Sequence, residues 1–150
     1  MKSGKKMAKM AMGLLFCFLT FSPVLFPASV SAFDIEIDVS PNVLNIESPV
    51  EELTVHTNIA FAEVNCSTVE LDVAGSITVP RLYCKSDNRG YFVGKFAAAP
   101  LKDSADKLAI DEYNTFIMTG TAIMTDTTTE VEEFSGKQEI KVIKVIPEGL

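Results

Sequence analysis

Tryptophan is absent from the 150 residues, and His56 is the only imidazole in the chain. One imidazole rules out two-histidine metal sites and blue-copper centres, which need several nitrogen and sulfur ligands. A serine–histidine–aspartate machine would have to be built on His56, and no nucleophile-elbow sequence accompanies it. With no tryptophan and three tyrosines (Tyr83, Tyr91, Tyr113), there is little to line a sugar-stacking cleft around paired carboxylates. The three cysteines (Cys17, Cys66, Cys84) contain no CxxC spacing, which removes the usual thiolate metal and redox motifs.

Acid is missing from one region altogether. The first 32 residues hold Lys2, Lys5, Lys6 and Lys9 but no Asp or Glu, so residues 33–150 carry all 20 acids against 9 bases, a formal charge of −11. A body this acidic cannot release counterions from a phosphate backbone, and it is repelled by anionic lipid. Nucleic acid is therefore excluded as the expected partner.

The basic start is followed by a twelve-residue apolar run at 10–21 (MAMGLLFCFLTF), helix-breaking Ser22-Pro23 and Pro27, and the small residues Val30-Ser31-Ala32. This is the layout of a secretory signal peptide. We read residues 1–32 as a cleaved leader and residues 33–150 as one domain starting at Phe33, not inserted in a membrane once the leader is gone. Two alternatives stand beside it. Residues 10–30 are long enough for an uncleaved anchor, since roughly 20 apolar residues cross a bilayer. Lipid attachment at Cys17 would require a small residue before it, where bulky Phe16 stands.

Loss of the leader takes Cys17 with it and leaves Cys66 and Cys84. Two cysteines in an exported chain are expected to pair, with two separate buried thiols as the other reading.

The body alternates with period two, the signature of half-buried strands. Residues 34–39 (DIEIDV) put Ile35, Ile37 and Val39 on one face, and residues 52–59 (ELTVHTNI) put Leu53, Val55, Thr57 and Ile59 on one side, with His56 facing solvent on the other. Further strands are expected at 43–46, 68–73, 76–79, 90–96, 115–118, 122–124, 131–134 and 139–146, separated by turn signals that include Asp87-Asn88-Arg89-Gly90, Thr119-Gly120 and Ser135-Gly136. Residues 101–112 lack the pattern and read as a loop or short helical turn. Met118 and Met124, which could suggest soft-metal binding, read as packing. Without any βαβ alternation, the expected fold is an all-β, antiparallel sandwich of about seven to nine strands, a small barrel being the other solution. Residues 34–39 and 139–146 are the expected edge or terminal strands.

Several segments match a known pattern. Ile37-Asp38-Val39 followed by Pro41-Asn42-Val43-Leu44-Asn45 resembles the opening of small bacterial extracellular β-sandwich modules of the immunoglobulin-like type. Ser67-Thr68-Val69-Glu70-Leu71 is similar to their middle segment, and Thr119-Gly120, Asp126, Phe134-Ser135-Gly136 and Ile140-Lys141-Val142 to their end. The resemblance covers most of residues 34–146 through turns and core positions. It implies export and a sandwich, and it implies no reaction. In many such modules an Asp/Asn-rich turn lies in mid-domain. Here that stretch is Lys85-Ser86-Asp87-Asn88-Arg89-Gly90, where Arg89 puts positive charge among the positions that would crowd a cation.

Calcium needs six to eight oxygen ligands. The candidates are Asp87 with Asn88, Asp103 with Asp106 and Asp111-Glu112, and Asp126 with Glu130; none has the spacing of a ligand loop. They read as acidic surface loops, and Glu51-Glu52, Glu130, Glu132 and Glu133 as solubilising charge that guards sheet edges. The expectation is a secreted, extracellular or periplasmic module without catalytic residues or cofactor, serving protein interaction or surface structure. Its partner would be a protein that no motif specifies. Alternatives are a subunit of an exported assembly, pilin-like or surface-layer, and an extracellular calcium-binding domain.

Overall fold

The structure is a computed structural model that describes residues 32–124 and 130–146. Residues 1–31, which hold all but the last residue of the expected leader, and Asp126 lie outside the described residues. In chain order the strands are β1 (Phe33–Asp34), β2 (Ile37–Ser40), β3 (Val43–Asn45), β4 (Glu52–Ala60), β5 (Val64–Val73), β6 (Ile77–Val79), β7 (Arg81–Ser86), β8 (Tyr91–Ala97), β9 (Tyr113–Met124) and β10 (Glu130–Ile143). One short helix, α1 (Ala99–Asp103), and 3-10 turns at Phe61–Glu63 and Ala105–Lys107 complete them. No helix among the described residues is long and apolar enough to cross a membrane.

The alternating patterns become two sheets. One runs β1-β10-β9-β5-β6, with β3 also paired to β10; the other runs β2-β4-β8-β7. Their apolar faces enclose a single core, in which Val39, Leu53, Val55 and Phe96 from one sheet meet Leu71, Phe116, Met118, Phe134 and Val142 from the other. Leu101 of α1 and Leu108 close it, so residues 101–112 are partly helical and contribute apolar cover. The result is all-β and sandwich-like.

Several features differ from the sequence reading. The sheets are mixed, because β1 and β3 both run parallel to β10. Residues 34–39 do not form one strand: β1 belongs to the larger sheet and β2 to the smaller, each at its edge. The alternation of Ile35, Ile37 and Val39 survives because all three point into the space between the sheets, whichever sheet holds the backbone. Segment 139–146 contains the end of the last strand, as a terminal strand requires, but it is not an edge, because β3 pairs with β10 from Lys141 to Ile143, where the strand ends. Finally, Thr119-Gly120 and Ser135-Gly136 are not turns but the middles of β9 and β10, which pair continuously from Glu130↔Met124 to Lys141↔Tyr113.

The glycines in those two strands serve close approach. A Cβ on Gly136 would lie 2.5 Å from Ile37 Cγ2 and 2.9 Å from Ile35 Cγ1. Bare backbone at that point lets the chain pass over β10 as it changes sheets. Gly90, by contrast, has φ +88° and ends the β7–β8 turn, a conformation suited to glycine.

Candidate functional site

Three surfaces bring polar chemistry together. The first is a groove of about 590 Å3 on the outer side of the smaller sheet, lined by β2, β4 and the β7–β8 turn. Glu36, Asp38, His56, Asn58, Arg89 and Tyr91 reach it. His56 is exposed on β4, in register with Asp38 of β2 and Val93 of β8, and Lys85 of β7 is in turn in register with Val93. The row runs from carboxylate through imidazole and an apolar side chain to ammonium. Among the described residues His56 makes no hydrogen bond to a hydroxyl or thiol, the contact by which a base activates a nucleophile.

The β7–β8 turn is built on Asp87. Its Oδ1 accepts the backbone N–H of Arg89 (2.8 Å) and of Tyr91 (2.9 Å). The bond from Tyr91 leads in holding the carboxyl below its ordinary pKa. Desolvation, the next largest effect, opposes it, and the Arg89 N–H and the charges of Arg89 and His56 add smaller contributions in the lowering direction. The aspartate is thus occupied in shaping the turn.

The other calcium candidates are spread along the chain. Asn88 is exposed in the same turn as Asp87, Asp103 ends α1, Asp106 sits in the following 3-10 turn, and Asp111 stands alone at φ +64° before β9. Among the described residues no three His, Cys, Asp or Glu side chains converge as a metal site. Nor does any buried side-chain polar atom among them lack a hydrogen-bond partner. Asn114 is the buried polar residue of the core, and it clamps the loop before β9. Its Oδ1 accepts Ala109 N–H and its Nδ2 donates to Ala109 O, both at 2.9 Å.

The second surface is where the sheets are tied. Cys66 of β5 and Cys84 of β7 form a disulfide between the two sheets, with Cα atoms 6.2 Å apart and 18 positions apart in sequence. Beside it the Arg81 guanidinium donates to the carbonyl of Cys66 and, at 3.3 Å, to that of Val69. Strand β6 pairs with β5 only from Leu71 to Val73. Arg81 therefore covers carbonyls on the stretch of β5 that β6 leaves bare, closing that edge to other chains.

The third surface lies on the outer face of the larger sheet. Thr68 and Thr121 are hydroxyl-bonded across β5 and β9 at 2.9 Å, with Glu70 on one side and Glu133 on the other. The β9–β10 hairpin continues past the end of β5, which pairs with β9 only as far as Val64↔Ala122. On this projecting arm Ile123 and Val131 are directly opposite each other and both exposed.

The chain matches no protein-family model, no curated protein and no solved structure. The physical surfaces are therefore what distinguishes it. Of these, the sequence pattern points to the disulfide and to the exposure of His56. It does not reveal β7, the strand that carries Cys84, Arg81 and Lys85. The signal available for it is the pair of cysteines itself, since Cys84 has to lie on an element that faces Cys66.

Proposed function

We propose that this is an exported, non-catalytic module of the immunoglobulin-like class that works through protein contacts at its sheet edges, with residues 1–32 as its removed leader. The observation that carries the reading is the strand order. Immunoglobulin-type sandwiches set strands A, B, E and D in one sheet against C, F and G in the other, and the variable type adds strands beside C. Assigned in chain order, β2-β4-β8-β7 corresponds to A-B-E-D, and β10-β9-β5-β6 to G-F-C with an added edge strand. The N-terminal segment divides between the sheets, with β3 parallel to β10. The module departs from antibody domains in having no tryptophan and in joining β5 to β7 by its disulfide.

Export is supported by the disulfide, which persists in oxidising compartments, and by β1 beginning at Phe33, the first residue after the expected cleavage point. The resemblance to bacterial extracellular modules points the same way. Fold class alone assigns no reaction, and the mixed charges of the groove offer no nucleophile–base pair.

The test is expression of the full chain in a bacterial host, followed by fractionation, N-terminal sequencing and thiol titration. The expected product lies outside the cytoplasm, begins at Phe33 and has no free thiol. A cytoplasmic product beginning at Met1 with reduced Cys66 and Cys84 overturns export. For the interaction role, a photo-cross-linking residue is placed at Tyr83, Val131 or Thr119 in producing cells. Protein adducts at the edge positions Tyr83 or Val131 are expected. Absence of adducts at all three positions overturns the role.

A further inference from the structure

Among the described residues, every sheet edge but two is short or blunted. Strands β1, β3 and β6 are two or three residues long, the bare carbonyls of β5 are taken by Arg81, and β2 ends against Pro41. The two that remain lie in different sheets and carry opposite charge. Strand β7 ends the smaller sheet with its outer side unpaired among the described residues, and there Leu82 is 48% and Tyr83 47% exposed beside the exposed Lys85. The second edge is on the β9–β10 arm. Strand β1 pairs with β10 only at Phe134 and Ser135, and β3 only from Lys141 to Ile143. Glu130–Glu133 therefore has β9 on one side and, among the described residues, no strand on the other. This stretch carries three glutamates with Val131, 64% exposed, backed by Ile123, 38% exposed.

The charge contrast is local and strong. Between Arg81 and Lys95 there are four bases and one acid, whereas the rest of residues 33–150 holds nineteen acids and five bases. Pairing either edge with its own copy sets like charges against each other. Two arms oppose glutamates with glutamates, and two β7 strands oppose Lys85 with Lys85; like charges directly opposite destabilise a strand pair. Pairing β7 of one copy with the arm of another sets lysine against glutamate. It also covers Leu82 and Tyr83 with Val131 and Ile123.

We infer that the partner at these edges is a second copy of this chain, whose β9–β10 arm adds to β7 and extends the smaller sheet by one strand. This rests on the interaction role proposed above and names its occupant. The contact is strand addition, in which main-chain hydrogen bonds hold the partner and side-chain pockets select it. It is also heterologous: each copy that receives an arm at β7 still has its own arm free. A head-to-tail contact that does not close continues as an open row of subunits.

The experiment is sedimentation velocity on the exported protein recovered from cells expressing the full chain. Wild-type protein is expected to increase in mass as its concentration approaches roughly 1 mM, the range of weak contacts, and to return to single chains in high salt, which screens exposed charges. Lys85→Glu and Glu133→Lys are each expected to stay single chains while keeping the wild-type melting temperature, because both positions are exposed. An equimolar mixture of the two variants is expected to associate again. In that mixture the arm of each variant meets the β7 of the other with opposite charge.

Wild-type protein that stays a single chain at every concentration overturns the inference. So does association that neither variant weakens, or variants that do not recover when mixed. The interaction role fails separately. Cross-links at Tyr83 or Val131 to a different protein keep that role and remove the second copy, and absence of any cross-link removes both.

Discussion

The ring of Phe134 lies against the backbone of Gly120, directly across the β9–β10 ladder, where a Cβ on the glycine would stand 2.6 Å from Phe134 Cζ. Both residues are buried in the core. The aromatic ring fills the place of the missing side chain and also meets Phe33 of β1, their centroids 6.2 Å apart. One contact thus links three strands of the larger sheet.

Gly120→Ala is therefore expected to destabilise the domain by about 1–3 kcal/mol, the usual cost of overpacking a filled core. The clash falls on rigid ring carbons, and Val69 Cγ2 would stand 3.1 Å from the same methyl group, so two core side chains must give way at once. Combining it with Phe134→Leu should give a loss smaller than the sum of the two single losses, because the shorter side chain makes room for the methyl. Urea unfolding of the four proteins measures this; additive losses would show that the ring is not what excludes the methyl group.

Reduction of the Cys66–Cys84 bond, or replacement of both residues by serine, is expected to cost about 3 kcal/mol for cysteines 18 positions apart. Most of this arises in the unfolded chain, whose freedom the bond restricts. Strand β7 should be affected first in the folded state, because it is an edge strand with one neighbour, β8. Hydrogen exchange at Leu82 to Lys85, compared between oxidised protein and the serine variant, locates the effect.

Stability should also depend on acid through Asp87. Its carboxyl is held below the ordinary value of 3.8, first by the backbone bond from Tyr91. A group whose folded pKa is depressed adds stability above its unfolded pKa, and that stability is lost as pH falls through the folded value. Asp87→Asn keeps an oxygen that can accept the same N–H groups but cannot titrate. It is expected to flatten this acid limb of the stability curve, whereas Asp87→Ala loses the turn at every pH. Urea midpoints from about pH 6 to about pH 2, spanning carboxylate titration, separate the three proteins.

Strand β4 was legible residue by residue. Leu53, Val55 and Ile59 are buried and His56 and Asn58 exposed, as strict alternation requires of a strand with one face on the core. Strand β7 was not legible. Arg81–Ser86 carries exposed Leu82 and Tyr83 side by side at an irregular register against β8, so no period-two signal survives. The Thr119-Gly120 and Ser135-Gly136 pairs carry the same letters as turns. A glycine is demanded equally by a left-handed backbone and by a neighbour that leaves no room for Cβ, and only the positions of Phe134, Ile35 and Ile37 distinguish the two.

What the sequence determined by itself is the all-β composition, the inward face of most strands, the acidic body and the pairing of Cys66 with Cys84. These follow from local periodicity and from counting. The tertiary structure alone decided that the first strand divides between two sheets, that β10 is flanked by β1 and β3 along part of its length, that Asp87 is spent on its own turn, and which edges stay open. Those outcomes depend on which segments lie side by side across a hundred residues of chain. Parallel pairing of Phe33 with Phe134 leaves no mark in either segment, because a strand's alternation records that one face is buried and not which neighbour lies beside it.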